Sequence, residues 1–217
     1  KLIWIPLVLI ILFSLFYGYK VFENSRIPEP IDLPPLQVYE PKEPKEVVPE
    51  SLVTPNQEEP EKVPVVVPSE LHLRVPFTPQ APTANWDELH NEACEEASVL
   101  MAAAYFNGDQ RSLIPPSEAE REIAKLTEWQ QDKLGYYLSI NADEAVRMIE
   151  AVYGLEAELV REFDESTIKE ALATKKLVIV PVDGRLLGNP NFKQPGPIYH
   201  MFVITGYTKD KFITNDP

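Results

Sequence analysis

Apolar positions fall into two regimes along this chain. Leu2 to Tyr19 is almost wholly apolar, with no charge between Lys1 and Lys20, and as a helix rising about 1.5 Å per residue it would reach roughly 27 Å, enough for a hydrocarbon core ~30 Å thick. Trp4, Tyr17 and Tyr19 lie near its ends, where amphipathic rings suit the membrane interface. Residues 1–20 are predicted to be a transmembrane anchor. A cleaved signal peptide needs small residues at its cleavage site, and no alanine precedes Ala81, so retention is expected. The chain begins at Lys1 rather than Met, so its natural start is expected further upstream.

Across residues 21–70 the periodicity disappears. This stretch holds half of the chain's 22 prolines and no glycine, in runs such as Glu40-Pro41-Lys42-Glu43-Pro44. Proline removes backbone donors and favours an extended polyproline II spacer, so 21–70 is predicted to be a disordered linker.

From Leu71 to Pro217 the pattern is that of a packed domain. Leu71 to Phe77 alternates as a strand does. Cys94 to Phe106 reads as a helix closed by Asn107-Gly108. A second helix is predicted over Glu118–Trp129, with Ser117 and Glu120 at capping-box spacing and Ile123, Leu126 and Trp129 forming an apolar stripe. Asn141 and Glu144 repeat that spacing before a third helix, which Gly154 ends. Leu155 to Val160 reads as a short strand, Glu165 to Thr174 as a fourth helix, and Leu177 to Val182, rich in β-branched residues, as a buried strand. Asp183 to Tyr199 is a long loop rich in Gly, Pro and Asn, of the kind that serves a site. His200–Tyr207 and Lys211–Asn215 then form a hairpin, which brings His200 beside Asp216.

Charge narrows the partners. Acids outnumber bases 34 to 20, for a formal net charge of −14, which repels nucleic acid. The acidic linker and domain, set against Lys1 and Lys20, put the domain outside the cytoplasm by the positive-inside tendency. The domain is expected to continue past Pro217, and nothing in the pattern specifies an oligomer. One cysteine and three scattered histidines offer no metal-ligand spacing, so no metal or cofactor is expected.

The same count leaves Cys94 free of any internal disulfide. At a helix N-terminus the dipole and unpaired N–H groups favour a thiolate, which is the reading of a nucleophile. A small buried core residue is the other reading of a free cysteine. A thiol nucleophile needs a base, an orienting group for that base and oxyanion donors. His200 and Asp216 suit the first two roles, and the Cys94 N–H with the Gln80 side-chain amide suits the third. Asn215 is the alternative orienter, and His90 a competing base. His72 reads as a surface or edge residue, whereas Trp86 and Tyr199 read either as groove or as core.

Val75-Pro76-Phe77-Thr78-Pro79-Gln80-Ala81-Pro82, Trp86, Cys94-Glu95-Glu96-Ala97-Ser98, the strand from His200 to Tyr207 and Asn215-Asp216-Pro217 occur in an order that resembles papain-like cysteine peptidases. More narrowly they resemble the peptidase-like domain related to the double-glycine leader peptidases of bacteriocin exporters. The resemblance covers 71–217 and implies an α+β fold, with a nucleophile-bearing helix packed on an antiparallel sheet. It implies Cys94 as nucleophile, His200 as base, Asp216 as orienter and Gln80 as oxyanion donor. Glu95 and Glu96 stand where those relatives carry Gly-Pro or a similar small turn, and acids there oppose a thiolate. The expectation is a membrane-anchored extracytoplasmic cysteine peptidase acting on peptides or proteins. The alternatives are a weak or inactive binding module on a stalk, or a thiol acyltransferase.

Overall fold

A computed structural model describes residues 32–41 and 65–217. The predicted anchor, residues 1–20, and most of the predicted linker lie outside them. Among the described residues no helix is long and apolar enough to cross a membrane.

The elements run β1 (Leu36–Gln37), β2 (Leu71–Leu73), a 3-10 turn (His90–Glu92), α1 (Cys94–Phe106), α2 (Pro116–Lys133), α3 (Ala142–Tyr153), α4 (Glu165–Ala173), β3 (Val178–Val182), β4 (His200–Tyr207) and β5 (Phe212–Asn215). The result is a mixed α/β domain of four helices and a mainly antiparallel sheet. Strand β4 is its axis, pairing antiparallel with β2, β3 and β5.

All eight residues of β4 are buried, because helices cover both faces of the strand. Met201 and Val203 point into a core made with Cys94, Val99, Leu100, Met101, Leu126, Ala145 and Met148 from α1, α2 and α3. Phe202 and Ile204, at the alternate positions, enter a second core with Leu71, Leu73, Tyr105, Ile168 and Leu172. The two-residue period of a strand thus assigns each side chain to one core or the other. Gly206 lies where β4 crosses β2, and a side chain there would collide with the Leu71 carbonyl oxygen.

Local rules explain three helix ends. Asn141 and Glu144 form the predicted capping box of α3, and Gly154 closes that helix in the left-handed conformation. Asp164 caps α4 with Thr167 in the same way. Helix α2 departs from expectation. It starts at Pro116 with Pro115 as its cap, so the predicted Ser117–Glu120 box does not form. Proline in the first turn makes a separate side-chain cap less necessary, and Glu120 is drawn to Thr83 and His90 instead.

Further corrections follow from partners that the sequence does not name. Leu155–Val160 lacks a pairing strand and is irregular. Strand β3 is half-buried rather than buried, because it pairs only with β4 at the sheet's edge. His72 is not on an edge: β2 is flanked by β1 and β4, which half-buries it. The linker prediction also fails in part. Leu36–Gln37 pairs parallel with His72–Leu73, and Tyr39 packs its ring against Tyr105 and Phe106 at centroid distances of 4.9 and 5.3 Å. Burying that aromatic and pairing those amides offset the cost of ordering a proline-rich segment.

Candidate active site

Cys94 opens α1 and lies against the head of β4. Its neighbour one turn on, Ser98, donates to the Met201 carbonyl at 3.2 Å, fixing the helix start on the strand. Cys94 is 6% exposed, and its thiol donates to Glu95 Oε2 at 3.0 Å. Burial pushes the Cys94 thiol well above its ordinary range, and the adjacent Glu95 charge pushes it further. A backbone contact from Met201 offsets only part of this. The thiolate-favouring influence expected of the helix N-terminus is therefore outweighed.

Glu95 and Glu96 are each 1% exposed. Burial lifts Glu95 to about 7, opposed by its hydrogen bonds with Cys94 and its own N–H and by the charge of His200. Burial together with Glu95 lifts Glu96 to about 8. Gln130 on α2 donates to Glu96 Oε1 at 2.6 Å. Glu95 Oε1, Glu96 Oε2 and Gln130 Oε1 are buried without hydrogen-bond partners. A proton on each acid removes the cost of a buried charge and provides donors for such orphaned acceptors.

His200, the first residue of β4, is 4% exposed, and its Nε2 meets Asp216 Oδ1 at 2.6 Å. The turn after Tyr207 sends β5 back antiparallel, and Asp216 arrives just past its end. Asn215 is paired with Val203 and turns its amide to the Val75 carbonyl at 3.2 Å. Adjacent strand residues point oppositely, so Asp216 contacts the imidazole and Asn215 does not. The other Asp216 oxygen accepts from Asn189 Nδ2 at 2.8 Å. Phe192 stands edge-on to the His200 ring, with centroids 5.1 Å apart. Among the described residues no hydrogen bond joins Cys94 Sγ to His200, and the thiol proton is directed to Glu95.

Gln80 is buried, and its Nε2 donates to the His90 carbonyl at 2.7 Å. An amide carries two N–H donors, so one remains beside that bond. His90 is unavailable as the competing base, because Nδ1 contacts Asp87 Oδ1 at 2.7 Å and Nε2 contacts Glu120 Oε2 at 2.9 Å. Burial alone would lower its pKa, but the two carboxylates outweigh burial and raise it. His90 thereby ties the Gln80 loop to α2.

Two hydrogen bonds tie together the loops beside these groups. Tyr199 Oη donates to the Ile140 carbonyl at 2.7 Å, joining the loop before β4 to the one before α3. Ser139 Oγ donates to Glu92 Oε2 at 3.1 Å, holding the latter loop to the turn before Cys94. Trp86 is 57% exposed and sits on the surface. Open hollows of about 600 and 500 Å³, lined by residues such as Leu89 and Tyr137, and Trp129 and Arg147, include none of Gln80, Cys94, His200 and Asp216. Among the described residues no group of three or more His, Cys, Asp or Glu is arranged to hold a metal ion.

Sequence reasoning passed over Asn189, Phe192 and Gln130. Asn189 and Phe192 lie in the aperiodic loop, where nothing but length and composition marks a function. Gln130 lies on the buried face of α2, four positions after Leu126 and seven after Ile123, and that helical spacing is the signal that could have found it.

No curated protein and no solved structure matches the chain. Residues 72–217 match the family model described as Peptidase_C39 like family, so the strand, the cysteine-bearing helix and the histidine-bearing hairpin all fall within one match, and the chain belongs to that family of cysteine peptidase-like domains.

Proposed function

We propose that the domain is a cysteine peptidase with Cys94 as nucleophile, His200 as general base, Asp216 as the group that orients the imidazole, and Gln80 as an oxyanion donor. The observation that carries this reading is the 2.6 Å contact of His200 with Asp216 at the head of the strand on which the Cys94 helix rests. With Nε2 committed to Asp216, the imidazole has Nδ1 left for the thiol proton.

In the reaction the S–H bond breaks, its proton passes to His200, and the thiolate attacks the carbonyl carbon of a peptide. The Cys94 backbone N–H and the second Gln80 N–H stabilise the oxyanion. His200 returns the proton to the leaving amine, and water then hydrolyses the thioester with His200 as base. Transfer of the acyl group to an amine would use the same residues. Substrate entry requires the Tyr199 and Ser139 contacts to open, and attack requires the thiol to turn from Glu95 to His200. The proposal extends to the whole chain: residues 1–20 anchor it in a membrane, and the proline-rich segment displays the domain outside the cytoplasm.

The buried thiol and its bond to Glu95 favour a second reading, a peptide-binding module with little turnover. The full chain, incubated with a casein-derived peptide pool, is expected to release new amino groups, and Cys94→Ala is expected to abolish that release. His200→Ala should slow iodoacetamide alkylation of Cys94 at least tenfold. Alkylation undisturbed by loss of His200 would reject the peptidase reading, whereas peptide retention without cleavage would establish the binding module.

A further inference from the structure

Beyond the four residues assigned above, the loop before β4 touches the Asp216–His200 pair through Asn189 and Phe192. Asn189 is fixed by its own turn: its Oδ1 accepts from the Asn191 N–H at 2.9 Å, and its carbonyl accepts from the Phe192 N–H at 3.2 Å. With the side-chain oxygen so occupied, the amide nitrogen has a fixed direction, and it donates to Asp216 Oδ2 at 2.8 Å. The same turn places Phe192 edge-on against His200. Asp216 follows the last residue of β5 and has no strand pairing of its own. Its carboxylate is thus held from two sides, by the imidazole on Oδ1 and by Asn189 on Oδ2.

We propose that Asn189 is a positioning residue for the Asp216–His200 pair, so that the long loop sets the direction of the general base. The inference rests on the triad reading above. A carboxylate can rotate about its terminal torsion, and that torsion is broad and weakly preferred. A second donor on the far oxygen removes this freedom, so Asp216 presents Oδ1 to Nε2 and turns Nδ1 toward its task.

The turn role and the donor role can be separated with two variants of the full chain. Asn189→Asp keeps the oxygen that accepts from Asn191 but replaces the donor by a second carboxylate facing Asp216. Asn189→Ala removes both. Three quantities are read for each: the rate of iodoacetamide alkylation of Cys94 at pH 7.5, the melting temperature, and the downfield proton resonance of the hydrogen-bonded His200 N–H. The expected result is a five- to twentyfold slower alkylation in both variants, at least as slow in Asn189→Asp, with that resonance shifted or broadened. Asn189→Asp matching the unaltered protein in rate and resonance, while Asn189→Ala is impaired, would reduce Asn189 to a turn residue and overturn the inference. Unaltered rates in both variants would overturn it as well. If Asn189→Asp does not fold, Asn189→Ala decides: persistence of the resonance unchanged, or its loss together with a lowered melting temperature, refutes the positioning role, and its loss at an unchanged melting temperature supports it. His200→Ala, run alongside, tests the triad itself. Slow alkylation there with normal rates in the Asn189 variants would reject this inference alone.

Discussion

At Cys94 the helix N-terminus and the buried carboxylate act with opposite sign, and the carboxylate wins. The dipole of α1 is worth a fraction of a kcal/mol to about 2 kcal/mol for a charge in its first turn. Glu95 accepts the thiol proton at 3.0 Å in a site that excludes water, where like charges repel far more strongly than on a surface. Glu95→Gln keeps an acceptor for the S–H and removes the charge. Alkylation of Cys94 by iodoacetamide at pH 7.5 should then become roughly tenfold faster, the change expected if the thiol is released by about one pKa unit. An unchanged or slower rate would mean that Glu95 does not restrain the nucleophile. The sequence showed Glu95 and Glu96 as a departure with the right electrostatic sign. It did not show that both are buried, which is what gives their charges weight.

At the scale of the element, the first turn of α1 makes stability depend on pH. Glu95 and Glu96 have folded-state values near 7 and 8, above the ordinary carboxylate value of 4.5. Between about pH 4.5 and 8 the folded protein therefore binds more protons than the unfolded chain, so stability falls as pH rises through that window and levels off above it. His90, also raised, loses its contribution in the same direction as pH climbs through its folded value. The two acids together are worth on the order of 8 kcal/mol across the window, about 6 kcal/mol of it between pH 5 and pH 8.5. A domain of this size shifts by about 2–4 °C per kcal/mol, so the melting temperature should drop by on the order of 20 °C between those two values. Glu96→Gln keeps the acceptor for Gln130 and should remove about half of that drop, as thermal unfolding at the two values would show. An equal drop in the variant would exclude Glu96 as its source. Elements such as α3 were legible because their caps and periodicity are local. The misread start of α2 and the missing strand over 155–160 are not local matters: each depends on what stands opposite.

At the scale of the molecule, the packed unit reaches back into the proline-rich segment. Among the described residues, 34–41 and 65–217 belong to one compact unit, in which Gln37 accepts from the Arg74 N–H at 2.7 Å and Tyr39 covers Tyr105 and Phe106. A truncation of residues 1–33 serves as the reference for thermal unfolding. Removing residues 1–41 uncovers β2 and the Tyr105 ring, at a cost of about 2 kcal/mol from the lost aromatic burial, and should lower the melting temperature by on the order of 5 °C. Equal melting of the two truncations would show that β1 contributes nothing. The tether, in the proposed arrangement, is thus shorter than the proline-rich composition suggests, because its middle is built into the sheet.

What the sequence determined by itself was the division into an apolar end, a proline-rich acidic stretch and a packed domain, and within that domain the order Gln80, Cys94, His200, Asp216. Periodicity, caps and turn residues are properties of neighbouring positions, and they remain readable in one dimension. The tertiary structure decided which side chains face one another: Asp216 rather than Asn215 on His200, Asn189 behind Asp216, His90 spent between two acids, and the thiol proton on Glu95. Those choices depend on the pleat of β4 and β5, on burial and on distances across the fold. A one-dimensional pattern carries the residues but not the dielectric around them, and it is the exclusion of water that sets the strength of each charge at this site.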